Sequence, residues 1–186
     1  IGALQDDLET VKDIFLSTGA WNIYRRIRPN RRPQMLIQTN NRPLAAFLQE
    51  NDYMIKSVNS ADKILSRVPE ELRHYWFRGL VDGDGCFYVN NKLSLTQLSV
   101  AGPYNQDWAY LESLCKLLSL KYAIKRREEL QRGKINRSSV LRITNSRDIV
   151  KFGEYIYQNR NEDKIGFLRK YNKFLEIKNV NDVRQN

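Results

Sequence analysis

The chain has 186 residues, of which 41% are hydrophobic, enough for a core in one large domain or two small halves. Its 31 Lys and Arg residues outnumber its 21 Asp and Glu residues, and the formal charge of +10 favours a polyanionic partner such as nucleic acid. Without an apolar run of roughly 18 residues or a signal-peptide pattern, the sequence predicts an intracellular, soluble protein with no membrane partner.

The first part of the chain reads as helix, hairpin, helix. Apolar residues spaced three or four apart predict an amphipathic helix over residues 7–14. Residues 21–26 alternate apolar and basic side chains, as a half-buried strand does, and residues 36–40 form the returning strand. An asparagine then starts a helix over residues 42–50, because Asn is a good N-cap. We expect residues 51–67 to be a linker.

The next predicted element is a helix over residues 69–83 with an unusual end. A proline at its first position and two acids in its first turn are helix-start signals. Gly79 and Gly83 lie four residues apart, so they share one face and allow a second backbone to approach. Asp82 and Asp84 follow where the negative end of the helix disfavours a carboxylate by roughly 0.3–1 kcal/mol each. A divalent cation would reverse that cost.

The remaining chain repeats the first part at a shift of about one hundred residues. A predicted hairpin, residues 86–91 with 93–100, leads into a helix that begins near Asp107, strands over 122–127 and 141–145, and a helix over 147–157. This second copy has a motif helix and a strand pair in front of it that the first copy lacks. We therefore predict an incomplete N-terminal half, residues 1–67, a complete half, residues 68–178, and a polar, frayed tail over 179–186.

The cysteines and the histidine limit the possible metal chemistry. Cys86 and Cys115 have no metal-type spacing and are expected to be buried free thiols. His74 is the only histidine in the sequence, so His-based metal nucleases and zinc fingers lack their ligands. A metal bound here is held by oxygen, which points to Mg²⁺ or another hard divalent cation.

Residues 77–85, Phe-Arg-Gly-Leu-Val-Asp-Gly-Asp-Gly, together with the surrounding repeat, resemble the LAGLIDADG homing endonuclease family, and its two-motif, single-chain members most closely. The resemblance implies an α+β fold, a pseudo-twofold repeat of αββαββα halves with saddle-shaped antiparallel sheets, of which the first half is incomplete here. It also implies a site-specific endonuclease that hydrolyses phosphodiester bonds of double-stranded DNA with a divalent metal.

The resemblance assigns roles to residues at the end of the motif helix. In the family the last acid of the motif binds the metal, which is Asp84 here, and the carbonyl of Gly83 joins the ligands. Asp82 is expected to be structural. A lysine near the phosphate is expected too, and Lys56 fits that position in the first half, although an ordinary solvated cation is an equal alternative. Its counterpart in the second half is one of three residues: Lys164, Arg169 or Lys170.

The resemblance also implies that each sheet reads the DNA major groove with alternate side chains. Alternation gives one set of expected nucleic-acid-binding residues, although a slip of one residue would invert the chosen face. In the first half these are Tyr24, Arg26, Arg28 and Gln38. In the second half they are Tyr88, Asn90, Ser94, Thr96, Gln97, Lys125, Arg127 and Arg142.

Two sets of alternatives stay open at the level of the sequence. The second motif helix is expected from a missing N-terminal segment, from a separate partner chain, or from a second copy that packs through Gly79 and Gly83. The functional alternative is a non-cleaving nucleic-acid-binding protein of the same fold, such as a maturase or scaffold component that binds structured RNA. Asp84 favours cleavage, because a protein that only binds has no need of a carboxylate at a helix C-terminus.

Overall fold

A computed structural model describes residues 1–53, 58–90, 95–131 and 133–183. Helices and two separate antiparallel sheets make up the described chain, in agreement with the predicted α+β class. The strands are β1 (Gly2–Leu4), β2 (Asn22–Arg26), β3 (Gln34–Gln38), β4 (Gly85–Val89), β5 (Thr96–Pro103), β6 (Ala123–Gln131) and β7 (Lys134–Ile143). The helices are α1 (Gln5–Glu9), α2 (Lys12–Ser17), α3 (Arg42–Glu50), α4 (Asp62–Leu65), α5 (Arg73–Asp84), α6 (Ala109–Leu117), α7 (Ser146–Ile156), α8 (Arg160–Asp163) and α9 (Leu168–Val183).

The first sheet has the strand order β1-β3-β2. Its hairpin pairs Arg26 with Gln34 and Asn22 with Gln38, close to the predicted strand limits. The central strand β3 buries Met35 and keeps Gln38 exposed, so one face is covered and the other is open. Strand β1 was not predicted, because three residues are too few to show a period of two.

The second sheet has the strand order β4-β5-β7-β6. Leu98 on β5 lies opposite Ile143 on β7, and both are buried. The β6–β7 ladder continues to Gln131 and Lys134, several residues beyond the predicted strand ends. Cross-strand pairs therefore extend almost to the tip of this hairpin.

The two sheets show the internal repeat. The order β1-β3-β2 in the first sheet matches β5-β7-β6 in the second, and β4 is the additional strand. Helices α3 and α7 follow β3 and β7, and each begins at an asparagine whose side chain accepts backbone N–H groups, Asn41 from Leu44 and Asn145 from Arg147. The helix between the strands differs, because in the first half it is broken into α1 and α2.

Two buried clusters hold the molecule together. The larger cluster packs α5, α6, α7 and α9 against the second sheet, with Phe77 and Val81 of α5 at its centre. The smaller cluster lies beneath the first sheet and includes Leu8, Met35 and Phe167. Among the described helices none is long and apolar enough to cross a bilayer.

Two segments differ from the sequence-based expectation. The predicted linker contains α4, and Ile64 and Leu65 belong to the larger buried cluster, so this stretch is partly core. The tail was expected to fray after residue 178, but α9 continues to Val183. Asn181 is buried and its side-chain oxygen accepts a hydrogen bond of 3.2 Å from the Ser146 hydroxyl, which fixes this last part of the helix against α7.

Candidate functional site

The motif helix α5 begins after a 3-10 turn, Glu70–Leu72, and ends at Asp84, directly before β4. Gly83 and Asp84 are exposed at this end, whereas Asp82 is buried. Gly85 follows as the first residue of β4, and a side chain there would lie 2.5 Å from the Val81 carbonyl oxygen. Glycine therefore allows the tight passage from helix to strand that presents Asp84 to solvent.

Asp82 is held inside the molecule by two donors. One carboxylate oxygen accepts the Phe167 backbone N–H at 2.8 Å, and the other accepts the Tyr157 hydroxyl at 3.3 Å. Burial raises the pKa of Asp82 to about 6, although the Phe167 N–H and the charge of Lys170 oppose that rise. These contacts give Asp82 a structural role and leave Asp84 as the carboxylate open to a ligand.

Arg78 lies one turn before Asp82 on the same side of α5, and the sequence analysis did not single it out. Its side chain is buried and donates hydrogen bonds to the carbonyls of Ile156, Gln158 and Ile165, at 2.7, 2.6 and 3.0 Å. Its guanidinium also pairs with Asp163 at 3.2 Å. A charged residue inside an otherwise apolar stretch was the available signal, because a buried arginine must find partners.

The three candidate cations of the second half occupy different places. Lys164 is exposed, and Arg169 pairs with Asp7 at 2.8 Å. Lys170 is buried, and its ammonium donates to the carbonyl oxygens of Gly85 and Val81 at the C-terminal end of α5. Burial lowers the pKa of Lys170, and the neighbouring Arg169 lowers it further. Of the three, Lys170 is the one that the fold brings to the end of the motif helix.

The surroundings of Asp84 define what it could bind. Burial raises the pKa of the Tyr53 and Tyr110 hydroxyls, and the charge of Asp84 raises both further. Within the described ranges no three His, Cys, Asp or Glu side chains cluster as a metal site would require. Asp84 and the carbonyl of Gly83 are oxygen donors suited to a hard cation, but they supply only part of its six ligands.

The face of α5 that carries the motif glycines is uncovered. Among the described residues, a side-chain carbon added at Gly79 or Gly83 would meet no neighbouring group within 4 Å. The glycines line a groove of about 640 Å³ between α5 and the first half. Apolar side chains dominate its walls, among them Leu4, Leu8, Val11, Phe15, Trp76 and Leu80.

Alternation in the second sheet gives it a buried face and an opposite face, here called the outer face. Val89 pairs with Thr96 and Phe87 with Leu98 on the buried side, so the intervening residues point outward. Among these is Arg142, whose side chain is only partly exposed. The outer face includes Cys86, Tyr88, Gln97, Ser99, Lys125, Arg127 and Arg142.

The first sheet has an outer face of the same kind. Met35 and Ile37 are buried, so their neighbours on β3 and the residues paired with those neighbours on β2 point outward. The residues on this side are Asn22, Tyr24, Arg26, Gln34, Leu36 and Gln38. Arg25 points to the opposite side, where it lies 3.5 Å from Glu9. The expected residues Tyr24, Arg26 and Gln38 therefore share one face, and Arg28 lies two residues past the end of β2.

The structure corrects some of the site predictions. Thr96 is 3% exposed and faces the core, since it is adjacent to the outward residue Gln97 and two neighbours on a strand cannot share a face. Asn90 lies just past β4, where its side-chain oxygen accepts the Leu95 N–H, and its role in binding stays a prediction. Cys86 is exposed rather than buried.

Three further predicted residues are Cys115, Lys56 and Ser94. Cys115 is buried as expected, and burial raises the pKa of its thiol to about 12. Lys56 and Ser94 lie outside the described residues.

Several solved structures of homing endonucleases are similar to this chain. The whole chain aligns with 79% of I-SmaMI, a LAGLIDADG-type homing endonuclease bound to an uncleaved DNA target in the presence of calcium ions, at 14% identity and a TM-score of 0.55. The archaeal intron-encoded homing endonuclease I-Vdi141I, complexed with DNA, matches 63% of this chain over 72% of its own, at 16% identity and a TM-score of 0.41. The homing endonuclease I-CvuI, in complex with its target and calcium, matches 61% of this chain over 71% of its own, at 17% identity and a TM-score of 0.40.

No protein-family model and no curated protein matches the sequence. The whole-chain likeness to I-SmaMI nevertheless confirms the fold that the motif and the repeat predicted. At 14% identity the likeness concerns the fold, and the chemistry has to be argued from the residues of this chain.

Proposed function

We propose that this chain is part of a metal-dependent, site-specific endonuclease that cleaves double-stranded DNA. The observation that carries the proposal is the exposed carboxylate of Asp84 at the end of α5, which leads directly into a strand of the basic second sheet. Outer-face cations such as Lys125 and Arg127 suit phosphate contacts, and Tyr88 and Gln97 suit contacts to base edges. The solved structures of this fold named above contain DNA, which agrees with this use of the sheets.

The residues at and around the end of α5 have distinct roles in the proposed site. Asp84 and the carbonyl of Gly83 would hold Mg²⁺ or a similar ion at the exposed helix end. The bound ion would stabilise negative charge on the phosphate and lower the pKa of an attacking water. Lys170 holds the two carbonyl groups at the helix end and so orients the turn that bears Asp84. Lys56 remains a predicted cation near the phosphate.

A second motif helix is the other requirement of the proposed site. One carboxylate and one carbonyl leave most of the metal ligands to be supplied by another segment or by water. The groove along Gly79 and Gly83 has an apolar lining, and its glycines leave room for the backbone of a second helix. A helix that itself carries small residues could therefore pack closely against α5. We assign this helix to a polypeptide segment outside the present sequence.

The nuclease assignment is tested by cleavage. The chain is combined with a segment that carries a second motif helix, and a pool of randomised DNA duplexes is first selected for binding in Ca²⁺. Selected duplexes are then incubated with Mg²⁺ or with EDTA. We expect cutting only with Mg²⁺, and a loss of at least 100-fold in Asp84→Asn with binding retained. Equal cutting by Asp84→Asn would remove Asp84 from the site. Preferential binding of structured RNA without cutting would favour the non-cleaving alternative.

The source of the second helix is tested by mass in solution. A chain that needs a helix from elsewhere is expected to be a monomer near 22.0 kDa. Substitution of Gly83 by Leu should leave that mass unchanged and block activation by the added segment. A mass of twice that value, returned to the monomer value by Gly83→Leu, would show instead that a second copy fills the groove.

A further inference from the structure

The segment Ile165–Lys170, here called the joint, lies between the two halves and contacts both. On the side of the second half, Arg78 donates to the Ile165 carbonyl at 3.0 Å, and Asp82 accepts the Phe167 N–H at 2.8 Å. Lys170 donates to the end of α5. The joint is therefore attached to the motif helix through its backbone at Ile165 and Phe167 and through the side chain of Lys170.

The same segment reaches into the first half. The Phe167 ring is 8% exposed and belongs to the small cluster beneath the first sheet, with Leu8, Val11, Met35 and Ile37. In the described part of that cluster, Phe167 is the buried member that comes from the second half. The other described members of this cluster come from the first half, so the ring completes the core of the other half.

The residues on either side of Phe167 make polar contacts with the first half. The Thr10 hydroxyl donates to the Asp7 carbonyl at 2.7 Å and also lies 3.2 Å from the Gly166 carbonyl. Arg169 donates two hydrogen bonds to Asp7, at 3.3 and 2.8 Å, and the Asp7 side chain is 5% exposed. Since a carboxylate buried to this extent needs a partner, the pair adds a specific contact to the apolar one.

The backbone of the joint is shaped for this double attachment. Gly166 has a φ of +107°, a conformation that side chains other than glycine rarely adopt. A side-chain carbon there would also lie 2.8 Å from an Asp82 carboxylate oxygen. Glycine therefore lets the chain turn against α5 and direct the next residue away from it.

We infer that the joint sets the position of the first half relative to the motif helix, with Phe167 as its main positioning residue. The groove beside α5 is lined by residues of both halves, and the joint supplies polar contacts that link the halves beside it. The joint contributes Phe167, Arg169 and Lys170 to the lining of that groove, together with Asp82 of α5. Loss of the Phe167 ring should release the first half while the second half stays folded.

Hydrogen exchange measured by mass spectrometry on the full chain tests this inference, and the readout does not depend on nuclease activity. Phe167→Ala should lower the protection of β3 and α1 at least tenfold and leave β5 and β7 unchanged. Leu168→Ala is the matched control, because its side chain is 49% exposed and adjacent in sequence. Phe167→Leu, which keeps an apolar side chain, should restore most of the protection.

Two results would overturn the inference. One is an equal loss of protection in both sheets, which would make Phe167 an ordinary core residue of the whole molecule. The other is unchanged protection of β3 in Phe167→Ala. If Phe167→Ala is not obtained in folded form, Asp7→Asn and Arg169→Gln provide the test, since each should lower protection of α1 and the double variant should do little more than either one. If the losses of protection in Asp7→Asn and Arg169→Gln were additive in the double variant, the inference would also be contradicted.

Discussion

Polar residues on α5 face the interior in two contrasting ways. Arg78 satisfies its guanidinium with three carbonyl groups and one carboxylate. His74 is 2% exposed, and neither of its ring nitrogens forms a hydrogen bond with the described part of the chain. The first residue therefore stabilises the packing of the motif helix, and the second weakens it.

Replacement of Arg78 by Met should destabilise the protein by about 3 kcal/mol, because it leaves Asp163 and buried carbonyl groups without their donor. Urea denaturation at pH 7.5 measures this change. Arg73→Met is the matched control on the same helix, since Arg73 is only partly buried and donates a hydrogen bond of 3.3 Å to the Val68 carbonyl. A loss below about 1 kcal/mol in Arg78→Met would mean that water replaces the lost donors.

His74 should make the stability fall as the pH is lowered. Burial lowers the pKa of His74, and the charge of Arg78 lowers it further. The folded state therefore holds the neutral ring while the unfolded chain takes up a proton below its ordinary pKa of about 6.5. His74→Leu should weaken the dependence of the urea midpoint on pH between 5 and 7, and leave stability at pH 8 equal or higher. If the urea midpoint of His74→Leu depended on pH as strongly as that of the wild type, groups other than His74 would be responsible for the pH dependence.

At the scale of elements, local signals explain which parts of the fold were predictable. Helices α3 and α7 lie within one residue of their predicted limits, since an N-cap asparagine and a period near 3.6 are encoded in adjacent residues. The position of Asp84 at the exposed end of α5 also follows from a local pattern, whereas its role as metal ligand comes from the family resemblance and stays a prediction. In contrast, β1 and the joint depend on partners more than thirty residues away, which no local pattern records.

Replacement by alanine of two helical glycines, Gly79 in α5 and Gly153 in α7, is expected to change the stability of the protein in opposite directions. Gly79→Ala should stabilise the isolated chain by roughly 0.5–1 kcal/mol, because the site is open and alanine loses less backbone entropy in a helix. Gly153→Ala, in α7, should destabilise it by about 1–3 kcal/mol, since its methyl group would lie 2.1 Å from the Phe174 ring. Thermal unfolding of both variants measures the difference. Destabilisation by Gly79→Ala would show that the face is already covered in solution.

At the scale of the whole molecule, the effect of the excess positive charge on DNA binding depends on which face of the sheet carries each charged side chain. The β6–β7 hairpin carries Arg127 on the outer face, 3.9 Å from Glu129, whereas Arg137 points to the other side and lies 3.3 Å from Glu128. The formal charge of +10 alone would make the two arginines equivalent in DNA binding. The orientation of the sheet distinguishes them.

Arg127→Gln should therefore weaken binding to duplex DNA and lower the salt dependence by about one released counterion, a change of roughly 0.9 in the slope of log K against log salt. Arg137→Gln removes the same charge from the opposite face and should leave that slope nearly unchanged. Fluorescence anisotropy with labelled duplex at several salt concentrations measures both. Equal effects of the two variants would place the DNA elsewhere or show that net charge alone governs binding.

Strand β1 has a consequence for solubility. Ile1 and Gln5 bond to strand β3 or to the residue before it, so by the alternation of an antiparallel pair the N–H groups of Gly2 and Leu4 point away from the sheet. Such an open edge can pair with another chain and seed aggregation. Leu4 already has a φ of −58°, which proline adopts, so Leu4→Pro should lower light scattering at high protein concentration without loss of helical circular dichroism.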